Sequence, residues 1–338
     1  MKIGLVLPQI EAQRAIERAL GVEGHTTEWC AKTAADALRR MDGAAIDLCI
    51  TAVAVPDLGV AELTRRLIAR GCPAVLLVAG SAGHELSQVY DAMGSGALDV
   101  ITPPTLDGAG VLAGTESLHA KLRTVGRLLG QSSGKLRAVE VAPFVRTVLG
   151  RPPLVALGAS TGGPQALLTI LSQLPRSFGA AIVIVQHVDS EFTAGLASWL
   201  GESSGIPVEV ARAGAVPRIG TALLAGSQDH LAMTASGSFR YTAEPRELPY
   251  RPSVDVLFAS LAEHWHKPCA AALLTGMGRD GAEGLHKLRK AGWHTLAQDE
   301  ASCAVYGMPK AAARLGAACK ILPPAAIAKE LSDYVDRQ

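Results

Sequence analysis

The chain has 338 residues, enough for two domains of roughly 150 residues each. It is 49% hydrophobic but only 4% aromatic, so its cores are aliphatic rather than ring-stacked. A formal net charge of +1 without any long run of Lys or Arg argues against a nucleic-acid footprint and against an anionic-membrane anchor.

The opening apolar stretch, ending at Pro8, is too short for a signal sequence and gives way to Gln9 and Glu11. No run of 18 apolar residues follows, which excludes a membrane-inserted helix. Six cysteines without a C-x-x-C pair indicate reduced thiols and a cytoplasmic protein. No histidine has a cysteine or carboxylate at ligand spacing, so neither a metal nor another cofactor is expected.

From the amino terminus, short apolar runs at residues 3–7, 25–30, 46–53, 74–79 and 97–101 alternate with helical apolar spacing at 12–20, 33–41, 60–70, 84–93 and 111–129. Such alternation predicts a doubly wound parallel sheet, here over residues 1–129. Residues 130–150 are rich in Gly and Ser at their start and are expected to form a linker. A second α/β domain over 151–338 is expected to follow. Its strands are predicted at 154–157, 180–186, 221–225, 270–274 and 293–297, and its helices at 165–174, 192–200, 254–264 and 282–290.

The first of these later strands breaks at Gly158-Ala-Ser160-Thr161-Gly162-Gly163-Pro164, a glycine-flanked corner that presents a serine hydroxyl before a helix begins. The free N–H groups of that helix start favour negative charge beside it. The segment is also a near miss to G-x-G-x-x-G, but Ser160 stands where a pyrophosphate needs the second glycine. A phosphate loop needs Lys after Gly163 and finds Pro164. A plain tight turn is the remaining reading of this motif.

In open parallel sheets, ligands bind outside the carboxyl ends of the strands. Ser160, His187 and Asp280 all fall at such ends, so a nucleophile, a base and an orienting carboxylate are expected on one rim. Taken singly, His187 reads equally as a hydrogen-bonded strand end and Asp280 as a turn or cap residue. The order Ser, His, Asp differs from that of the α/β-hydrolases, but a triad is defined by geometry.

With these motifs in view, the chain from about residue 152 to 335 resembles the chemotaxis protein-glutamate methylesterase family. The resemblance rests on Gly158–Pro164, on Val185-Gln186-His187, and on Leu274-Thr275-Gly276-Met277-Gly278-Arg279-Asp280-Gly281-Ala282. It extends to Arg251-Pro252-Ser253-Val254-Asp255, to Gln298-Asp299-Glu300, and to Tyr306-Gly307-Met308-Pro309. The resemblance implies hydrolysis of γ-glutamyl methyl esters on the cytoplasmic helices of chemoreceptors, with release of methanol; some members also deamidate receptor glutamines. It assigns Ser160 as nucleophile, His187 as general base and Asp280 as the orienting carboxylate. It places the backbone N–H of Met277 in the oxyanion hole, and Thr161, which adjoins the nucleophile, and the helix start at Gly162 are expected to support that geometry. Arg251, Ser253, Gln298 and Tyr306 are expected to shape the substrate rim. A scaffold with little or no esterase activity is the competing reading.

The first domain resembles response-regulator receivers in its fivefold alternation, in Val55-Pro56 after the third strand and in Pro104 after the fifth. Aligned on those prolines, the phosphoacceptor position falls on Ala52, the acidic pair on Leu7 and Pro8, the switch hydroxyl near Val78 and the lysine on Pro103. A methyl group accepts no phosphate, and without clustered carboxylates nothing there holds Mg²⁺. Asp47 and Asp57 flank the position and read as turn or cap residues. The expectation is a pseudo-receiver that docks a partner, such as a chemosensory kinase or adaptor, or covers the esterase rim.

Overall fold

A computed structural model describes residues 1–80, 86–106, 111–129, 151–267 and 269–338; the expected linker at 130–150 lies outside these. The chain divides into two compact units, Met1–Gly134 and Lys135–Gln338. Among the described residues no helix is long and apolar enough to cross a membrane.

The first unit runs β1 (Lys2–Val6), α1 (Ile10–Val22), β2 (Thr26–Ala31), α2 (Ala34–Met41), β3 (Leu48–Ala52), α3 (Val60–Ala69), β4 (Val75–Val78), α4 (Leu86–Gly94) and β5 (Asp99–Ile101). A two-residue hairpin follows, β6 (Thr105–Leu106) with β7 (Leu112–Ala113), then α5 (Glu116–Leu129). The helix expected from residue 111 therefore starts later, because Leu112 and Ala113 pair with β6 instead. The sheet is parallel with order β2-β1-β3-β4-β5, the flavodoxin-like winding. Alternate residues Ile3, Leu5, Leu48, Ile50, Leu76 and Val78 form one buried layer with Ile16 and Leu20 of α1 and Leu118, Leu122 and Val125 of α5.

Both aspartates that flank Ala52 are engaged with backbone amides. Asp57 accepts from Ala34 N (2.7 Å) and Ala35 N (2.9 Å), so its carboxylate caps α2 beside the Thr33 hydroxyl, which accepts from Asp36 N. Those two amides hold the Asp57 carboxyl below the usual range. Asp47 accepts from Lys2 N at 2.7 Å.

The second unit contains β8 (Leu154–Ala159), α6 (Gly163–Gln173), β9 (Ala181–Gln186), α7 (Ser190–Ser204), β10 (Val208–Val210) and β11 (Ala222–Leu224). It continues through β12 (His230–Met233), β13 (Phe239–Thr242), α8 (Val254–His264), β14 (Ala270–Leu273) and α9 (Ala282–Lys290). It ends with β15 (His294–Gln298), α10 (Met308–Arg314), β16 (Lys320–Leu322) and α11 (Pro324–Val335). Seven parallel strands lie in the order β10-β11-β9-β8-β14-β15-β16. Every residue of β8, β9 and β14 is buried, as central parallel strands covered on both faces require.

Chain direction across the sheet reverses at β8, with β9 on one side and β14 on the other. That reversal is the switch point at which such sheets open a crevice. The edge strands β10 and β16 and the antiparallel pair β12–β13 were not expected from the sequence. Each spans three or four residues, and in β10 a charged Glu209 separates the two valines, too short a pattern for periodicity to register.

Candidate active site

The loop after β8 places Ser160 at the switch point. Ser160 N donates to Thr275 O (3.0 Å), and Ser160 O accepts from Gly163 N (2.7 Å) and from Gln186 Nε2 (2.8 Å). Both neighbouring strands thus hold the corner, and the residue is 4% exposed. Gly162 makes the turn possible: its φ is +76°, and a Cβ there would meet Ala304 Cβ at 2.4 Å. Gly276 allows the loop after β14 to pass against the serine, since a Cβ on it would lie 2.7 Å from Ser160 Cβ and 2.3 Å from Met308 Sδ.

His187 follows β9 one step beyond the Ala159↔Gln186 pair, and its N–H donates to Ala159 O at 3.0 Å. The two strand ends therefore set Ser160 and His187 side by side. The ring, in a residue 8% exposed, is fixed by two contacts. Its Nε2 lies 2.8 Å from Asp280 Oδ2, and its face stacks on Tyr250 with centroids 4.4 Å apart and planes 8° from parallel. Nδ1 is buried with no hydrogen-bond partner. The carboxylate assigns the tautomer: Nε2 carries the hydrogen and Nδ1 offers its lone pair.

Asp280 accepts three further hydrogen bonds, all from the start of α8: Ser253 Oγ (2.7 Å), Val254 N (2.7 Å) and Asp255 N (3.1 Å). Burial alone would raise its pKa. The bond to His187, the imidazole's charge, and the donors on Ser253 and Val254 outweigh burial and keep it below the ordinary value. The positive end of α8 acts in the same direction. Its neighbour Asp255 shows the opposite balance. Burial, with the Asp280 charge adding to it, pushes Asp255 up to about 6 despite a 2.6 Å bond from Gly284 N.

The expected rim residues separate into two groups. Ser253 and Gln298 are each 1% exposed and so lie beneath the surface rather than on a rim. Ser253 caps α8 and donates to Asp280; Gln298 accepts from Thr275 N (2.8 Å) and donates to Ser302 O (2.9 Å), bracing the loop that touches Ser160. Arg251 is exposed and donates to Arg246 O, and Tyr306 is half-buried and pairs as a bridge with Gly276. Burial, with Glu300, Cys303 and Asp299 nearby, raises the Tyr306 hydroxyl pKa. Met277 follows Gly276, whose N–H donates to Val305 O (3.0 Å), and Thr161 O accepts from Thr275 Oγ1 (2.9 Å). Tyr250 was missed by sequence reasoning, because a lone tyrosine in a loop carries no local signal of what it stacks on. Among the described residues no group of three or more His, Cys, Asp and Glu is disposed to hold a metal ion.

The second unit is thus a parallel α/β domain in which Ser160 and His187 follow neighbouring strands at the switch point and His187 pairs with Asp280 from the loop before α9. The CheB methylesterase family profile matches residues 155–331. The chain is 45% identical over 338 residues to protein-glutamate methylesterase/protein-glutamine glutaminase 4 of Burkholderia thailandensis, covering 100% of this chain and 98% of that one. It is 43% identical over 337 residues to protein-glutamate methylesterase/protein-glutamine glutaminase 3 of Pseudomonas aeruginosa, covering 99% and 100%. The crystal structure of the Thermotoga maritima CheB methylesterase catalytic domain matches 55% of this chain and 99% of its own, with 34% identity and a TM-score of 0.52. The chain belongs to the CheB methylesterase family.

Proposed function

We propose that the chain hydrolyses γ-methyl esters of glutamate on chemoreceptor helices, releasing methanol, and deamidates glutamines at the same site. The observation that carries this reading is the 2.8 Å pairing of His187 Nε2 with Asp280 while Nδ1, buried and unpaired, faces no competing donor beside the Ser160 corner. His187 Nδ1 takes the Ser160 hydroxyl proton as Oγ attacks the ester carbonyl. Asp280 stays ionised and stabilises the imidazolium. Backbone N–H groups at Met277 and at the start of α6 meet the tetrahedral oxyanion. Methanol departs with the proton held on His187, leaving an acyl-serine that water, deprotonated by the same ring, releases as glutamate. With a glutamine side chain the leaving group is ammonia.

The first unit works without a phosphorylation switch on this reading. Ala52 ends β3 at the acceptor position, Leu7 and Pro8 follow β1 where an acidic pair would stand, and Asp57 is committed to capping α2. A methanol-release assay on methylated receptor tests the activity, with Ser160→Ala expected to lose roughly four to six orders of magnitude in turnover while keeping its fold. Undiminished release by Ser160→Ala would rule Ser160 out as the nucleophile, and no release by either protein would leave the chain a scaffold.

A further inference from the structure

His230, the first residue of β12, is fully buried, and both of its ring nitrogens are engaged. Nδ1 accepts from Ser253 N (3.1 Å), and Nε2 donates to Pro245 O (3.0 Å). A backbone N–H can only donate and a carbonyl can only accept, so the two contacts fix the ring as the Nε2–H tautomer. Opposite His230 in the strand pair stands Thr242, the last residue of β13. From there the chain runs through a loop without helix or strand and re-enters regular structure at Ser253, the cap of α8. One ring therefore ties this loop near its start, at Pro245, and at its end, at Ser253.

We propose that His230 is a positioning residue for the Ser160–His187–Asp280 site, acting through the two ends of the loop it ties; the proposal rests on that triad being the catalytic group. Between the tied ends lies Tyr250, which stacks on the His187 ring. At the second end, Ser253 Oγ, Val254 N and Asp255 N all donate to Asp280, so the orientation of the first turn of α8 decides three of the four hydrogen bonds that the carboxylate accepts. Ser253 is itself buried, and its N–H finds its acceptor on His230. Without that acceptor the amide must turn towards another, and the first turn of α8 turns with it. The rest of α8 is held independently, since Ser260 Oγ accepts from Met233 N (2.8 Å) at the far end of β12. Loss of the His230 contacts therefore disturbs the helix start and the loop, where the triad is supported, rather than the helix as a whole.

The test compares the full chain with two variants. His230→Phe keeps a ring of similar shape and offers neither bond; His230→Asn can place Oδ1 where Nδ1 accepts from Ser253 N but has nothing at the position of Nε2. Each is read by kcat for methanol release and by the NMR resonance of the His187 Nε2 hydrogen that faces Asp280. Small misplacements of catalytic groups cost up to about a hundredfold, so His230→Phe is expected to lose about tenfold to a hundredfold in kcat, with the His187 resonance displaced. His230→Asn should hold that resonance near its wild-type position and lose less kcat than His230→Phe. In the wild type, imidazole nitrogen spectra should show the His230 hydrogen on Nε2. A folded His230→Phe protein with kcat within twofold of wild type and an unmoved resonance, a His187 resonance in His230→Asn displaced as far as the loss of both bonds displaces it, or a wild-type His230 hydrogen on Nδ1 would overturn the proposal. Should His230→Phe not fold, His230→Asn carries the test, and wild-type kcat in that variant would remove the Pro245 tie from the site. The resonance needs no substrate, so a chain that releases no methanol would refute the catalytic reading while the spectra still decide whether His230 sets the His187–Asp280 pair.

Discussion

Replacing Asp280 by Asn tests the proposed chemistry most directly, because the side chain keeps its size while changing what it offers its four donors. Oδ2 serves His187 Nε2 and Val254 N; Oδ1 serves Ser253 Oγ and Asp255 N. An amide nitrogen in either position turns two acceptor contacts into donor-against-donor contacts. The Ser253 hydroxyl can reverse its direction, whereas a backbone N–H cannot. The His187 ring can likewise switch tautomer, so either orientation strands one backbone donor, Asp255 N or Val254 N, at about 1–3 kcal/mol. Relief of the repulsion between Asp255 and Asp280 offsets part of this. For a unit of this size the melting temperature should fall by roughly 3–10 °C. The catalytic effect is expected to be much larger, since His187 loses the charge that stabilises its protonated form. An amide at the orienting position of a Ser–His–Asp triad costs about 10⁴ in kcat, which corresponds to about 5 kcal/mol. Methanol release under saturating receptor, read beside calorimetric melting, separates the two effects, and KM should stay near the wild-type value. A kcat within tenfold of wild type in a folded Asp280→Asn protein would remove the carboxylate from the mechanism.

Asp255→Asn should carry a pH signature. The carboxyl is raised when folded, so its favourable contribution is present below the ordinary value near 4 and is lost as pH rises through about 6. The amide should therefore raise the melting temperature at pH 8 and not at pH 4, and an equal offset at both would contradict the buried charge. Gly276→Ala drives a methyl group to within 2.7 Å of Ser160 Cβ; displacement of the corner should cost about 1–3 kcal/mol and lower kcat, which melting and methanol release would register. Tyr250→Leu removes the face on which His187 stacks, and a tenfold or greater fall in kcat with little change in melting temperature is expected. Incubation with acetyl phosphate or a cognate histidine kinase should leave the first unit unlabelled; stoichiometric incorporation would refute the pseudo-receiver reading.

Much of the fold was legible in advance because it depends on local patterns. Central strands such as β9 (Ala181–Gln186) are continuous apolar runs, and α8 and α9 have the predicted bounds because Ser253 and Gly281 mark their starts. The helix α11 was missed although Pro323-Pro324 and the spacing of Ile327, Leu331 and Val335 signalled it. The edge strands had no comparable signal, since pairing with a neighbour supplies most of what orders three residues.

Residue chemistry and strand position were thus written in the chain: a serine, a histidine and an aspartate beyond the carboxyl ends of three strands, and Ala52 at the end of β3. Depth and orientation were not. Ser253 and Gln298 look like rim residues in one dimension, yet packing of α8 and β15 buries both and makes them braces for Asp280 and for the Ser160 loop. Only the tertiary structure decides which imidazole nitrogen meets the carboxylate, that Tyr250 covers the ring, and that His294 meets Glu330. Each of those facts depends on distances between segments that the order of residues along a chain does not contain.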